Sequence, residues 1–134
     1  LGGDEFAILQ TGFEGPPDAA ALALRLRDKI MAPHDVQGHH ILTDVSIGIA
    51  MSPNDGVDAD QLLARADMAM YAAKCDGRGT FRYFETEMNT RAKARRALEQ
   101  AALDELAARD RDLLQELAAA ASRPAISPTA ALST

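Results

Sequence analysis

The stretch that most limits the possible folds is ILTDVSIGI, residues 41 to 49. Ile41, Thr43, Val45, Ile47 and Ile49 alternate with Leu42, Asp44, Ser46 and Gly48, so an extended chain here has one aliphatic face and one mixed face. A loop of turn-forming residues follows, SPNDG at 52 to 56. Then comes a helical pattern, capped by Asp58 or Asp60, with Leu62, Ala66, Ala69, Met70 and Ala73 on one face. Gly77 and Gly79 stand where a helix of this length should stop, and Phe81 to Phe84 reads as another strand. A strand, a helix and a strand in this order call for layered α/β packing.

The flanking sequence extends that pattern. Phe6-Ala7-Ile8-Leu9 reads as a short buried strand, and Gly12, Gly15, Pro16 and Pro17 as a turn. Asp18 is the expected N-cap of a helix carrying Leu22, Leu26 and Ile30 on one stripe, ended by Pro33. A short strand at His34 to Val36 turns back through Gln37-Gly38. The order strand–helix–strand–strand–helix–strand predicts an α/β sandwich with a mixed sheet. From 85 to 121 the chain is alanine-rich and helical in pattern, and the small, proline-broken residues 122 to 134 read as a disordered tail. Within the long helix Leu103, Leu106, Leu113 and Leu117 fall at heptad-like spacings, with Asp110 interrupting the seam, so the segment is a possible pairing element.

Composition narrows the function. A formal net charge of −6 argues against a non-specific binder of nucleic acid or anionic membrane. No run of about 18 apolar residues is present to span a bilayer. The single cysteine, Cys75, cannot form an internal disulfide, which suits the cytoplasm. His34, His39 and His40 lack partners at ligand spacing and read as ordinary strand or turn residues. Met70 and Tyr71 read as core.

The candidate chemistry lies at the start. Gly2-Gly3 runs into Asp4-Glu5, and in a tight turn two adjacent carboxylates converge on one spot. Glycines let a ligand approach the main chain closely. Paired carboxylates suit Mg²⁺, which is held through one or two of them together with water and phosphate oxygens. A solvated β-turn is the plain alternative for these four residues taken alone.

Read together, LGGDEFAIL (1 to 9), VSIGIA (45 to 50) and ADMAMYAAKCDGRG (66 to 79) resemble the GGDEF domain of bacterial diguanylate cyclases over roughly residues 1 to 84. The resemblance implies a nucleotide-cyclase or palm-like fold that binds one GTP. It also implies a homodimer in which two such domains condense two GTP into cyclic di-GMP and two pyrophosphates. By motif position Gly2 and Gly3 would line the nucleotide. Asp4 would coordinate Mg²⁺ (or Mn²⁺), and Glu5 would share that metal or deprotonate the attacking hydroxyl. Lys74 and Arg78 would hold the triphosphate; taken without the motif, they are cations complementing a helix C-terminus.

In the family the turn tips a hairpin whose first strand should precede Leu1, along with a second metal aspartate and the residues that read guanine. The chain is therefore expected to be a piece of something longer, inactive alone and of marginal stability. FETEMNTRAKARRALEQ (84 to 100) resembles the connecting helix between a GGDEF domain and a downstream EAL phosphodiesterase domain. Two further readings follow: a GTP-binding regulatory module of a GGDEF–EAL protein, or a truncated gene product without function. The expected division is 1 to 84 for the partial domain, 85 to 121 for the connecting helix and 122 to 134 for the tail.

Overall fold

The computed structural model describes residues 2–122, in two structural units that divide between Ala92 and Lys93. The first unit is built on the segment singled out above. Strand β3 (Ser46–Ile49) leads through the 52–56 loop into helix α2 (Ala59–Cys75), which returns the chain to β4 (Thr80–Tyr83). The two strands pair in parallel, with Ser46 opposite Thr80 and Ile49 opposite Tyr83, and the Phe84 N–H adds a further bond to the Ile49 carbonyl. A parallel pair needs a crossover, and α2 supplies it.

Local chemistry sets the ends of α2. The Asp58 carboxylate accepts the Gln61 N–H at 2.8 Å, which resolves the choice between the two expected caps in favour of Asp58. At the far end Gly77, at φ 105°, donates its N–H to the Lys74 carbonyl, and Arg78 donates to Ala73. This is a Schellman stop, with glycine at the position that needs a left-handed backbone.

Helix α2 lies directly on β3 at Gly48. A Cβ added there would stand 1.9 Å from the Ala66 carbonyl oxygen and 2.3 Å from the Met70 nitrogen. Ala69 and Ala73 are fully buried in the same contact. Small residues thus let helix and strand backbones meet. The consequence is a thin core: Ala23, Ala69, Ala73, Met88 and Ala92 are its buried apolar members among the described residues.

Within the same unit helix α1 (Pro16–Met31) and then the hairpin of β1 (His34–Val36) and β2 (His39–Ile41) precede β3 in the chain. The hairpin turns as expected, with Gln37 and Gly38 both at positive φ and His34 opposite Ile41. Asp18 is not the N-cap of α1. Pro16 and Pro17 occupy its first two positions, the cap is Gly15, and the Asp18 carboxylate accepts the Glu14 N–H from inside the first turn.

Three other expectations are corrected. Residues 6 to 9 do not form a buried strand: Phe6 and Leu9 are each 86% exposed, because no described segment pairs with them. The 41–49 run is broken. Asp44 takes the Val45 N–H with its own carboxylate, Thr43 donates its hydroxyl to the Ile30 carbonyl, and pairing resumes only at Ser46. The strands therefore form two separate two-stranded sheets, one antiparallel and one parallel. Tyr71 is exposed rather than core, and Met70 is half-buried.

Helix α3 (Glu87–Ala121) occupies most of the range expected for the long helix. Met88 and Ala92 are buried, whereas Leu98, Leu103, Leu106, Leu113, Leu114 and Leu117 are exposed. Ser122 closes the helix by bonding the Ala118 carbonyl; the remainder of the expected tail lies outside the described residues. No helix among the described residues is long and apolar enough to cross a membrane.

Candidate active site

The GGDE stretch is a turn closed from both sides. The Glu5 N–H donates to the Gly2 carbonyl at 3.2 Å, and the Glu5 carboxylate accepts the Gly2 N–H through Oε2 at 2.9 Å. The two acids do converge. A Cβ on Gly2 would stand 3.3 Å from Asp4 Oδ1 and 3.8 Å from Glu5 Oε2, so the missing side chain leaves room for both carboxylates. Gly3 has no atom within 4 Å of its own Cβ position, leaving the turn open on that side.

Asp4 and Glu5 line a cleft of about 140 Å³ together with Asp44, Val45, Ser46, Met70, Lys74 and Arg78. The expected acids and the expected cations therefore face one space, although 68 positions separate Lys74 from the end of the GGDEF stretch at Phe6 (74 − 6 = 68). Lys74 lies in the last turn of α2 and Arg78 just past it. Neither forms an ion pair or side-chain hydrogen bond among the described residues, and both are exposed. Arg78 has φ 65°, a conformation that costs a non-glycine residue roughly 1–2 kcal/mol.

Asp44 is the member that sequence reasoning missed. The alternation placed it on the mixed face of a continuous strand, and no motif marks it. Its Oδ1 accepts the Val45 N–H at 2.8 Å and lies 3.3 Å from the Cβ position of Gly79, so the break between β2 and β3 brings it to the rim.

Known proteins resemble the chain in sequence and in fold. The profile of the family described as "Diguanylate cyclase, GGDEF domain" matches residues 1–80. The chain belongs to the GGDEF domain family. Over 93 residues it is 44% identical to the bifunctional diguanylate cyclase/cyclic di-GMP phosphodiesterase MucR of Pseudomonas aeruginosa, covering 69% of this chain and 13% of MucR. The GGDEF domain of TpbB (YfiN) from Pseudomonas aeruginosa superposes with a TM-score of 0.65 at 36% identity, over 69% of this chain and 55% of that one. An EAL/GGDEF domain protein from M. capsulatus superposes with a TM-score of 0.60 at 40% identity, over 63% and 55%. This GGDEF chain thus spans only a small share of curated relatives such as MucR and about half of each solved neighbour.

Asp4 and Glu5 offer hard carboxylate oxygens on one turn, which fits Mg²⁺ or Mn²⁺ held jointly with phosphate oxygens and water. Among the described residues no three His, Cys, Asp or Glu side chains converge as a metal-binding group.

Proposed function

We propose that the cleft binds the triphosphate end of GTP as part of a diguanylate cyclase, with Asp4 and Glu5 as the metal carboxylates and Lys74 and Arg78 as the phosphate cations. The observation that carries this reading is the pair of partner-free cations facing the doubly closed acid turn across one small space. Bound Mg²⁺ supplies neutralisation of the phosphate charge. Lys74 and Arg78 draw off the charge that builds on departing pyrophosphate. Glu5 uses Oε2 to close the turn and keeps Oε1 for the 3′-hydroxyl proton or for metal. In such a cyclase the 3′-hydroxyl of each GTP attacks the α-phosphorus of the other across a homodimer, so two bonds to pyrophosphate break as the two phosphodiesters of cyclic di-GMP form.

A cleft of about 140 Å³ falls below the roughly 300 Å³ at which pockets enclose a whole small-molecule ligand. The isolated chain is therefore read as binding phosphates without selecting guanine, and as making no cyclic di-GMP by itself. Thermal melts with Mg·GTP, Mg·ATP and Mg·tripolyphosphate test this. The melting temperature should rise similarly with all three, because a ligand that binds only the folded state stabilises it. The Lys74→Ala/Arg78→Ala pair should abolish the rise. No shift with any of them, or cyclic di-GMP formed from GTP, would contradict the reading.

A second reading has a specific observation behind it: relatives such as MucR and the M. capsulatus protein are named for paired cyclase and phosphodiesterase or EAL functions. In it the domain binds GTP to regulate an EAL neighbour. Glu5→Gln in the longer protein separates the two, abolishing cyclic di-GMP synthesis under the first and altering only its hydrolysis under the second.

A further inference from the structure

Helix α3 from Lys93 onward forms the second structural unit. Leu103, Leu106, Leu113, Leu114 and Leu117 stand 56 to 66% exposed along it. At 3.6 residues per turn these five fall within one arc of about 100°. Asp104, Glu105, Arg111, Asp112 and Gln115 occupy the opposite face. A helix with an apolar stripe of this width is patterned to cover it.

The charges on and beside the stripe indicate what covers it. With Leu103 and Leu117 at heptad position a and Leu106 and Leu113 at d, Asp110 falls at a, and Arg109 and Glu116 fall at g. A parallel, in-register pair would place Asp110 against Asp110 of a second copy, burying like charges together. It would also leave Arg109 and Glu116 facing Leu114 and Ala121 at the e positions. An antiparallel pair instead sets a against d and g against g. Leu106 then packs on Leu117 of the second copy, Asp110 meets Leu113, and Arg109 meets Glu116 on both sides of the two-fold axis. The g-position charges complement one another in the antiparallel orientation alone, which also moves the two Asp110 residues from one layer of the seam into adjacent layers.

We infer that residues 101–122 form an antiparallel two-helix interface with the same segment of a second copy of this chain, closed by reciprocal Arg109–Glu116 pairs. The occupant is a second copy because the complementary charges lie seven residues apart on the same face of the same helix. Such a pairing sends the two helix N-termini to opposite ends, so it tethers two copies without depending on the phosphate cleft. It stands or falls separately from the proposed function.

Sedimentation equilibrium of the full 134-residue chain tests it. The chain should be dimeric at micromolar concentration, and Leu106→Glu/Leu113→Glu should be monomeric while keeping its helical circular dichroism. Arg109→Glu and Glu116→Arg should each weaken the dimer roughly 3- to 10-fold, and the two together should restore it. These charge variants sit on an exposed surface and keep the test valid if the leucine variant misfolds. A monomer at all concentrations means that the stripe is covered otherwise and overturns the inference. So does a dimer indifferent to the leucine changes. Single charge variants without effect would exclude the antiparallel orientation and overturn it equally.

Discussion

The two sides of the cleft are built in different ways. Lys74 and Arg78 stand at the end of α2, whose backbone touches β3 at Gly48 and whose Ala69 and Ala73 are fully buried. Asp4 and Glu5 stand on a turn whose hydrogen bonds join Gly2 and Glu5 to each other, and the segment that follows is exposed. The cations are positioned by tertiary packing; the acids are positioned by four consecutive residues. Disturbing the helix should move the phosphate side of the site without moving the acid turn, and the reverse should also hold.

The strongest way to break this contrast is Gly48→Ala. The added methyl would overlap backbone atoms of α2, which cannot rotate away as a side chain can. Overpacking of this kind costs about 1–3 kcal/mol, and more where backbone has to shift. In a chain whose buried core consists of four alanines and one methionine among the described residues, that should remove the cooperative melt. A normal melting curve for Gly48→Ala would show that α2 is not seated as described.

Next in size is the loss of a phosphate cation. Lys74→Ala should weaken Mg·tripolyphosphate binding by about 1.5–3 kcal/mol, the worth of a charge-assisted hydrogen bond, and leave the melt of the free chain nearly unchanged. Titration calorimetry would read the first and circular dichroism the second. Arg78→Gly sharpens the point because its two effects have opposite signs. Glycine relieves the φ of 65°, so the melt should rise by up to about 1 kcal/mol, while phosphate binding should fall. If both moved the same way, Arg78 would be a structural residue rather than a phosphate ligand.

What the sequence disclosed follows the same division between local and distant causes. The Gln37-Gly38 turn, a cap at Asp58 or Asp60, the Gly77 stop and the long helix depend on neighbours a few residues away and were legible, the structure choosing Asp58 as the cap. The doubly closed acid turn is equally local, and its convergent carboxylates were expected from four residues. Phe6 to Leu9 has the composition of a strand, but a strand exists only where another segment pairs with it, and composition does not report that partner. The gap between β2 and β3 escaped notice because Thr43 and Asp44 fit the alternation while their side chains bond the backbone instead. Asp44 reached the cleft through that gap. The role of Gly48 was hidden for a related reason: in the alternating run it is one more mixed-face residue, and only the approach of α2 shows why it carries no side chain.

The smallest expected effect isolates the acid turn. Glu5→Gln keeps an oxygen that can accept the Gly2 N–H, so the turn and the melt should change by no more than about 0.5 kcal/mol. Glu5→Ala removes that acceptor, and the Gly2 amide should then exchange with solvent faster, which hydrogen exchange would detect. Both variants remove the charged oxygen proposed for the metal, so the Mg²⁺-dependent part of phosphate binding should drop alike in the two. Unequal loss, with Glu5→Gln binding as well as the parent chain, would mean that Glu5 acts through the shape of the turn. The acids would then be positioning groups, and the metal would rest on Asp4 with whatever oxygens the nucleotide brings.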